Sequence, residues 1–275
     1  RLTVGRGDPV VTSDGAYPTF AFHVAGHGGQ LHRVPYREDR EDPGGLLRAA
    51  RATGARLVYL SNPDNPMGSW HAASTLAAAI ADIPDGTLLV LDEAYAEFAP
   101  AGTLPPLDPA DPRVIRLRTF SKAHGLAGLR VGYAIGHAAF IAAFDRVRDH
   151  FGVGRIAQAG ALAALGDGDH LDRVLAQVAT SREAIAGIAR ANGLVPVPSA
   201  ANFVAVDCGR DGAFAAQVLA GLAAGGVFVR KPAVAPQDRC IRISCGRPED
   251  LAVLAAALPA ALAAARGEAP PITPA

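Results

Sequence analysis

The residues best able to do chemistry crowd into Arg118-Thr119-Phe120-Ser121-Lys122, and Arg130 follows eight residues after the lysine. Two hydroxyls flank Phe120, and a primary amine comes directly after the second. A lysine among hydroxyls with an arginine close by describes a reactive amine beside an anion site. Taken alone, it describes a basic surface loop equally well. Two further stretches sharpen the choice. Leu91-Asp92-Glu93-Ala94-Tyr95 ends an apolar run in a carboxylate, a costly arrangement unless the charge is paired or caps the next segment. Asn62-Pro63-Asp64-Asn65-Pro66-Met67-Gly68 carries two Asn-Pro steps, which exclude helix and stiffen the loop. One such step is usually a tight turn; two in succession suit a loop that aims a side chain.

The elements that must position these residues are legible as alternating strands and helices. Strands are expected at Val10–Thr12, Gln30–Val34, Arg56–Leu60, Thr87–Leu91, Val114–Leu117 and Val131–Ile135, with helices over 16–25, 46–52 and 71–81. The apolar strands point to a parallel sheet covered on both faces, and the three chemistry-bearing stretches all follow strand ends, where open α/β sheets bind ligands. From Ala138 the chain becomes alanine-rich, with helices expected over 156–165, 171–191, 213–222 and 248–265 and short strands at 203–206, 227–229 and 241–243. The expected architecture is therefore α/β, a mainly parallel sheet flanked by helices over residues 1–150. Connecting helices and a smaller α+β domain follow over 151–267, and a frayed proline-rich tail over 268–275. The glycines Gly26, Gly28 and Gly29 do not make a dinucleotide-binding GxGxxG.

Composition removes several classes of function. The 275 residues carry 26 basic and 26 acidic side chains, a balance that argues against a nucleic-acid or anionic-membrane partner. Three cysteines, Cys208, Cys240 and Cys245, make neither a CxxC pair nor a disulfide framework, which fits a reducing cytoplasm. No metal-ligand spacing occurs among the histidines, and His124 reads as a packing residue. No apolar run of membrane-span length and no signal peptide is apparent.

One cofactor needs the whole set. Pyridoxal 5'-phosphate requires a lysine for covalent attachment, a carboxylate at the pyridinium nitrogen, donors to its phenolic oxygen, and hydroxyls with an arginine for its phosphate. The order Asn-Pro-x-Asn-Pro-x-Gly, Asp-x-Ala-Tyr, then Ser-Lys-x-x-Gly-Leu-x-Gly-x-Arg-x-Gly resembles the fold-type I, class I and II aminotransferases, above all their histidinol-phosphate branch. The resemblance runs from about Gly7 to Ala265.

It implies that Lys122 is the Schiff-base lysine and proton shuttle and that Asp92 faces the ring nitrogen. It also implies that Asn65 and Tyr95 bond the phenolic oxygen, and that Thr119, Ser121 and Arg130 hold the phosphate. Tyr17, in Asp14-Gly15-Ala16-Tyr17, matches the residue that stacks on the ring; a core tyrosine is the alternative. Arg242 matches the substrate-anion arginine, Arg230 a second one, and Asn202 a further substrate neighbour.

The implied activity is amino transfer between a histidinol-phosphate-like or aromatic amine and 2-oxoglutarate or glutamate, by a cytoplasmic homodimer. A decarboxylase or lyase of the same fold is the alternative within the family, and a catalytically impaired cofactor-binding fragment the alternative outside it. The family's N-terminal phosphate-binding helix and its intersubunit tyrosine are not recognisable before Gly7, so an N-terminally incomplete domain is expected. Met67 stands where threonine is frequent, at a position with no named chemical role.

Overall fold

The computed structural model describes residues 2–268; the expected tail beyond them lies outside the described residues. The chain forms two compact units, one made of residues up to Asn65 with Ser69–Leu175, the other of Pro66–Gly68 with residues from Ala176 onward.

The larger unit is built on β1 (Pro9–Ser13), β2 (Gln30–Val34), β3 (Leu57–Ser61), β4 (Leu88–Asp92), β5 (Val114–Thr119) and β6 (Gly132–Gly136), in the order β2-β1-β3-β4-β5-β6. All neighbours pair parallel except β5 and β6, which are antiparallel. Successive residues of one strand enter opposite cores, as a period of two requires. Val11, Val58 and Leu89 join Leu46, Leu47 and Leu76, whereas Val10, Leu57 and Leu88 join Val24 and Ile115. The first cluster is closed by α2 (Pro43–Thr53) and α3 (Ala73–Ala81), the second by α1 (Pro18–Gly26) and α4 (Ala138–Phe144).

Local chemistry sets the helix starts. Pro18 opens α1, two residues later than the pattern suggested, because proline's fixed φ suits a first helical turn. Asp42 caps α2 by accepting the Gly45 N–H, so that helix begins at Pro43 and not at Leu46. The tight β5–β6 approach requires Gly132, where a Cβ would lie 2.7 Å from the Arg118 carbonyl oxygen. After α5 (Arg155–Gly166), α6 (Gly168–Ala191) carries the chain out of this unit.

The smaller unit has an antiparallel sheet of β7 (Val195–Pro196), β8 (Phe203–Asp207) and β9 (Cys240–Ser244), with α7 (Gly212–Ala224) and α8 (Pro248–Arg266). Its core joins Val204, Val206, Val218, Leu222, Ile241, Leu254 and Leu258. The strand expected at 227–229 does not form. Phe228 is exposed, Val227 and Val229 pack against the core, and backbone pairing with the sheet comes at an isolated bridge between Arg230 and Arg242. The expectation that no apolar run reaches membrane-span length also needs correction. The α8 helix is long and apolar enough, but its Leu251, Leu254, Leu258 and Leu262 are buried in this core.

Candidate active site

Asp92 is the last residue of β4, and the sheet decides its surroundings. Tyr59, on neighbouring β3, donates its hydroxyl to Asp92 Oδ2 at 2.5 Å, and the Ala94 N–H reaches Oδ1 at 3.0 Å. Burial raises the Asp92 carboxyl above the ordinary carboxylate range, while these two donors pull the other way. The Tyr59 phenol is itself pushed well above its usual value by burial and by Asp92, so it stays protonated as a donor. Phe20 stacks on Tyr59 with ring centres 4.3 Å apart.

The loop after β3 is held as rigidly as its prolines suggest. Asn62 Oδ1 accepts the His71 N–H at 2.8 Å and its Nδ2 reaches the Thr103 carbonyl at 3.3 Å. Tyr36 donates to Asp64 at 2.7 Å, and the Asn62–Pro63 peptide is cis. Asn65, thus fixed, donates from Nδ2 to the Tyr95 hydroxyl at 3.4 Å. The Lys122 Nζ lies 5.4 Å from the centre of the Tyr95 ring.

Between β5 and β6 the chain makes the turn that carries the hydroxyls. Thr119 Oγ1 accepts the Ser121 N–H at 3.1 Å, and Phe120 turns inward against His124 and Tyr133. His124 therefore packs, as expected. Arg130 adopts a left-handed backbone (φ 54°), unusual for a non-glycine residue and frequent at functional sites. Its Nη1 donates to the Ala127 carbonyl at 2.8 Å.

Tyr17, Asn65, Asp92, Tyr95, Thr119, Ser121, Lys122 and Arg130 all line a single cavity of about 330 Å³ in the larger unit. Tyr17 is 48% exposed, which disposes of the core-tyrosine alternative. The remaining three expected residues belong to the smaller unit. Arg242 lies on β9 with its guanidinium 4.7 Å from the Phe203 ring centre. Arg230 exchanges both backbone hydrogen bonds with Arg242, and the Asn202 carbonyl accepts the Cys245 N–H.

Sequence reasoning gave no role to Tyr59, Ser61 or Arg118, which share the cavity. It also missed Glu93, which is wholly buried and accepts from both Arg116 and Arg118. Arg116 and Arg118 sit two apart on β5 and so share a face, a signal present in the sequence.

The donor set fits pyridoxal phosphate: an amine, a half-buried carboxylate, an amide beside a phenol, and two hydroxyls with an arginine open onto one space. The fold and this set define a class, and comparison with known proteins agrees. Residues 1–258 match the family Aminotransferase class I and II. The chain belongs to that family and is a pyridoxal-phosphate-dependent transaminase.

Among its relatives is histidinol-phosphate aminotransferase 1 of Mesorhizobium japonicum, 38% identical, with 91% of this chain and 69% of that protein aligned. Histidinol-phosphate aminotransferase 2 of Ralstonia nicotianae is 37% identical, with 98% and 72% aligned. The crystal structure of histidinol-phosphate aminotransferase from Sinorhizobium meliloti in complex with pyridoxal-5'-phosphate is similar at a TM-score of 0.94 and 53% identity. That match covers 96% of this chain and 73% of that one.

Proposed function

We infer that this chain transfers an amino group between a histidinol-phosphate-like or aromatic amine and 2-oxoglutarate, with glutamate as the common product. The observation that carries the reading is the meeting of Lys122, Asn65, Tyr95 and Asp92 in one cavity. Pyridoxal phosphate, when bound, supplies the electron sink that makes the hydrogen on the substrate's amine-bearing carbon acidic.

Lys122 Nζ would hold the cofactor covalently and, when free, would carry the proton of the substrate's amine-bearing carbon. Asp92 would face the ring nitrogen, where a carboxylate keeps the ring an electron sink. Asn65 Nδ2 and the Tyr95 hydroxyl would donate to the phenolic oxygen, and Tyr17 would serve the ring. Thr119, Ser121 and Arg130 would hold the phosphate dianion. Arg242, with Arg230 and Asn202, takes the substrate's carboxylate or phosphate, for which a guanidinium fork is suited. The names of the relatives support a phosphate-bearing donor.

A homodimer is supported by exposed apolar side chains on the larger unit, Phe22, Phe151, Ile156 and Leu162 among them. The small number of cysteines, three in 275 residues, supports a reducing cytoplasmic setting. The test is a panel of amines offered to the cofactor-loaded protein with 2-oxoglutarate, with glutamate and carbon dioxide both measured. Glutamate formation fastest with histidinol phosphate is expected. Carbon dioxide release without glutamate would replace the reading with a decarboxylase.

A further inference from the structure

Glu41 lies outside every motif above, yet it is buried and bonded on all sides. Its Oε2 accepts the Ser13 hydroxyl at 2.5 Å and its Oε1 accepts the Ser61 N–H at 3.0 Å. Its carbonyl accepts His71 Nε2–H at 2.7 Å, and the His71 N–H is bonded in turn to Asn62.

The position of these bonds in the sheet gives them meaning. Pairing of β1 with β2 runs to Ser13, and pairing of β3 with β4 runs to Ser61, but pairing of β1 with β3 stops at Val11 and Val58. The sheet therefore opens between β1 and β3, where the strand order reverses and α/β sheets bind ligands. Glu41 bridges the gap just beyond, joining the Ser13 hydroxyl on β1 to the Ser61 backbone N–H on β3. Ser13 precedes Tyr17 by four residues, and Ser61 precedes Asn65 by four.

We propose that Glu41 is a positioning residue: its carboxyl clamps the parted ends of β1 and β3 and so fixes how Tyr17 and Asn65 meet the cofactor. This rests on the reading that those two residues hold the cofactor. Burial, then the nearby Asp64, pushes the Glu41 carboxyl well above the ordinary range; Asp92 acts in the same sense, while Ser13 and Ser61 oppose it. Tyr36 and Tyr59, the neighbouring phenols, are likewise raised and stay neutral. Glutamine is thus the nearest replacement, since its oxygen can accept from Ser61 while its amide donates to Ser13.

The test uses the full chain loaded with pyridoxal phosphate, in wild-type form and as Glu41→Gln, Glu41→Ala and Ser13→Ala. Cofactor affinity, the pH midpoint of the bound cofactor's visible absorption, kcat and KM are measured on each. Misaimed groups cost rate steeply, so Glu41→Ala should lose about tenfold in affinity and kcat and shift the midpoint, while Glu41→Gln stays within about twofold of wild type. Ser13→Ala should shift the midpoint in the same direction by less. An unchanged midpoint and affinity in Glu41→Ala overturns the clamp, as does a Glu41→Gln protein as impaired as Glu41→Ala. If Glu41→Ala does not fold, an unchanged midpoint in Ser13→Ala overturns it. Asn65→Ala separates the underlying reading: if it leaves the midpoint in place, the site assignment fails, whereas failure of the clamp alone leaves the Asn65→Ala shift intact.

Discussion

Beside their apolar cores the two units bury different groups. Behind the strand ends of the larger unit, Glu41, Asp64 and Glu93 are all buried, with Asp92 half-buried, and each is tied to a donor. The core of the smaller unit joins valines, leucines and isoleucines with Cys208, whose thiol burial raises to about 11. Apolar burial stabilises without direction, while a buried carboxylate is costly unless its partners stand at fixed places. The polar interior therefore gives up stability per residue in exchange for orientation, and it lies directly under the cavity that holds Lys122.

Four substitutions probe this contrast. The largest effect falls on chemistry: Lys122→Ala should reduce amino transfer by more than about 10⁴-fold, beyond the range of acid–base help alone, with the melting temperature almost unchanged. A steady-state assay beside a thermal melt reads both. Next, Glu93→Ala leaves Arg116 and Arg118 facing each other without their shared carboxylate, and denaturant unfolding should show a loss of about 3–5 kcal/mol. In the apolar core Leu222→Ala should cost about 2–5 kcal/mol by the same measurement. The contrast lies in rescue: replacing the Glu93 triad wholly with apolar residues should recover stability, whereas no polar replacement at Leu222 should.

The smallest effect is a drift with pH. Because the folded protein raises the Asp92 carboxyl, the native state keeps its proton to higher pH than the unfolded chain does. Its contribution is present below the ordinary carboxylate range and is lost as pH climbs through the raised value. The cofactor-free Asp92→Asn protein should therefore gain on wild type as pH rises through that window, read from unfolding midpoints at a series of pH values. A constant gap would show that the carboxyl titrates as in the unfolded chain.

The sequence carried the cavity further than it carried the cavity's supports. Lys122, Asp92, Asn65 and Tyr95 were legible because each lies at or soon after the end of an apolar strand, where short motifs and sheet topology coincide. Tyr59 and Glu41 were not, because they act across strands on residues 33 and 20 positions away, and nothing local marks such a partner. The strand misread at 227–229 has a similar cause. Two valines around a phenylalanine have high β propensity, but the edge of β9 is engaged at Arg230 alone. The antiparallel turn into β6 was likewise hidden, since strand direction is not written in side-chain type.

The central claim, that Lys122 is the amine that binds the cofactor, has an unusually clean test because the chain contains two lysines. The other, Lys231, is in the smaller unit, 3.7 Å from Asp238 and bonded to the Pro232 carbonyl. Borohydride reduction of the cofactor-loaded protein, followed by peptide mass mapping, reports which lysine carries the pyridoxyl group. The account predicts the label on Lys122 and none on Lys231. Labelling of Lys231, or an unlabelled protein that still transfers amino groups, would contradict it.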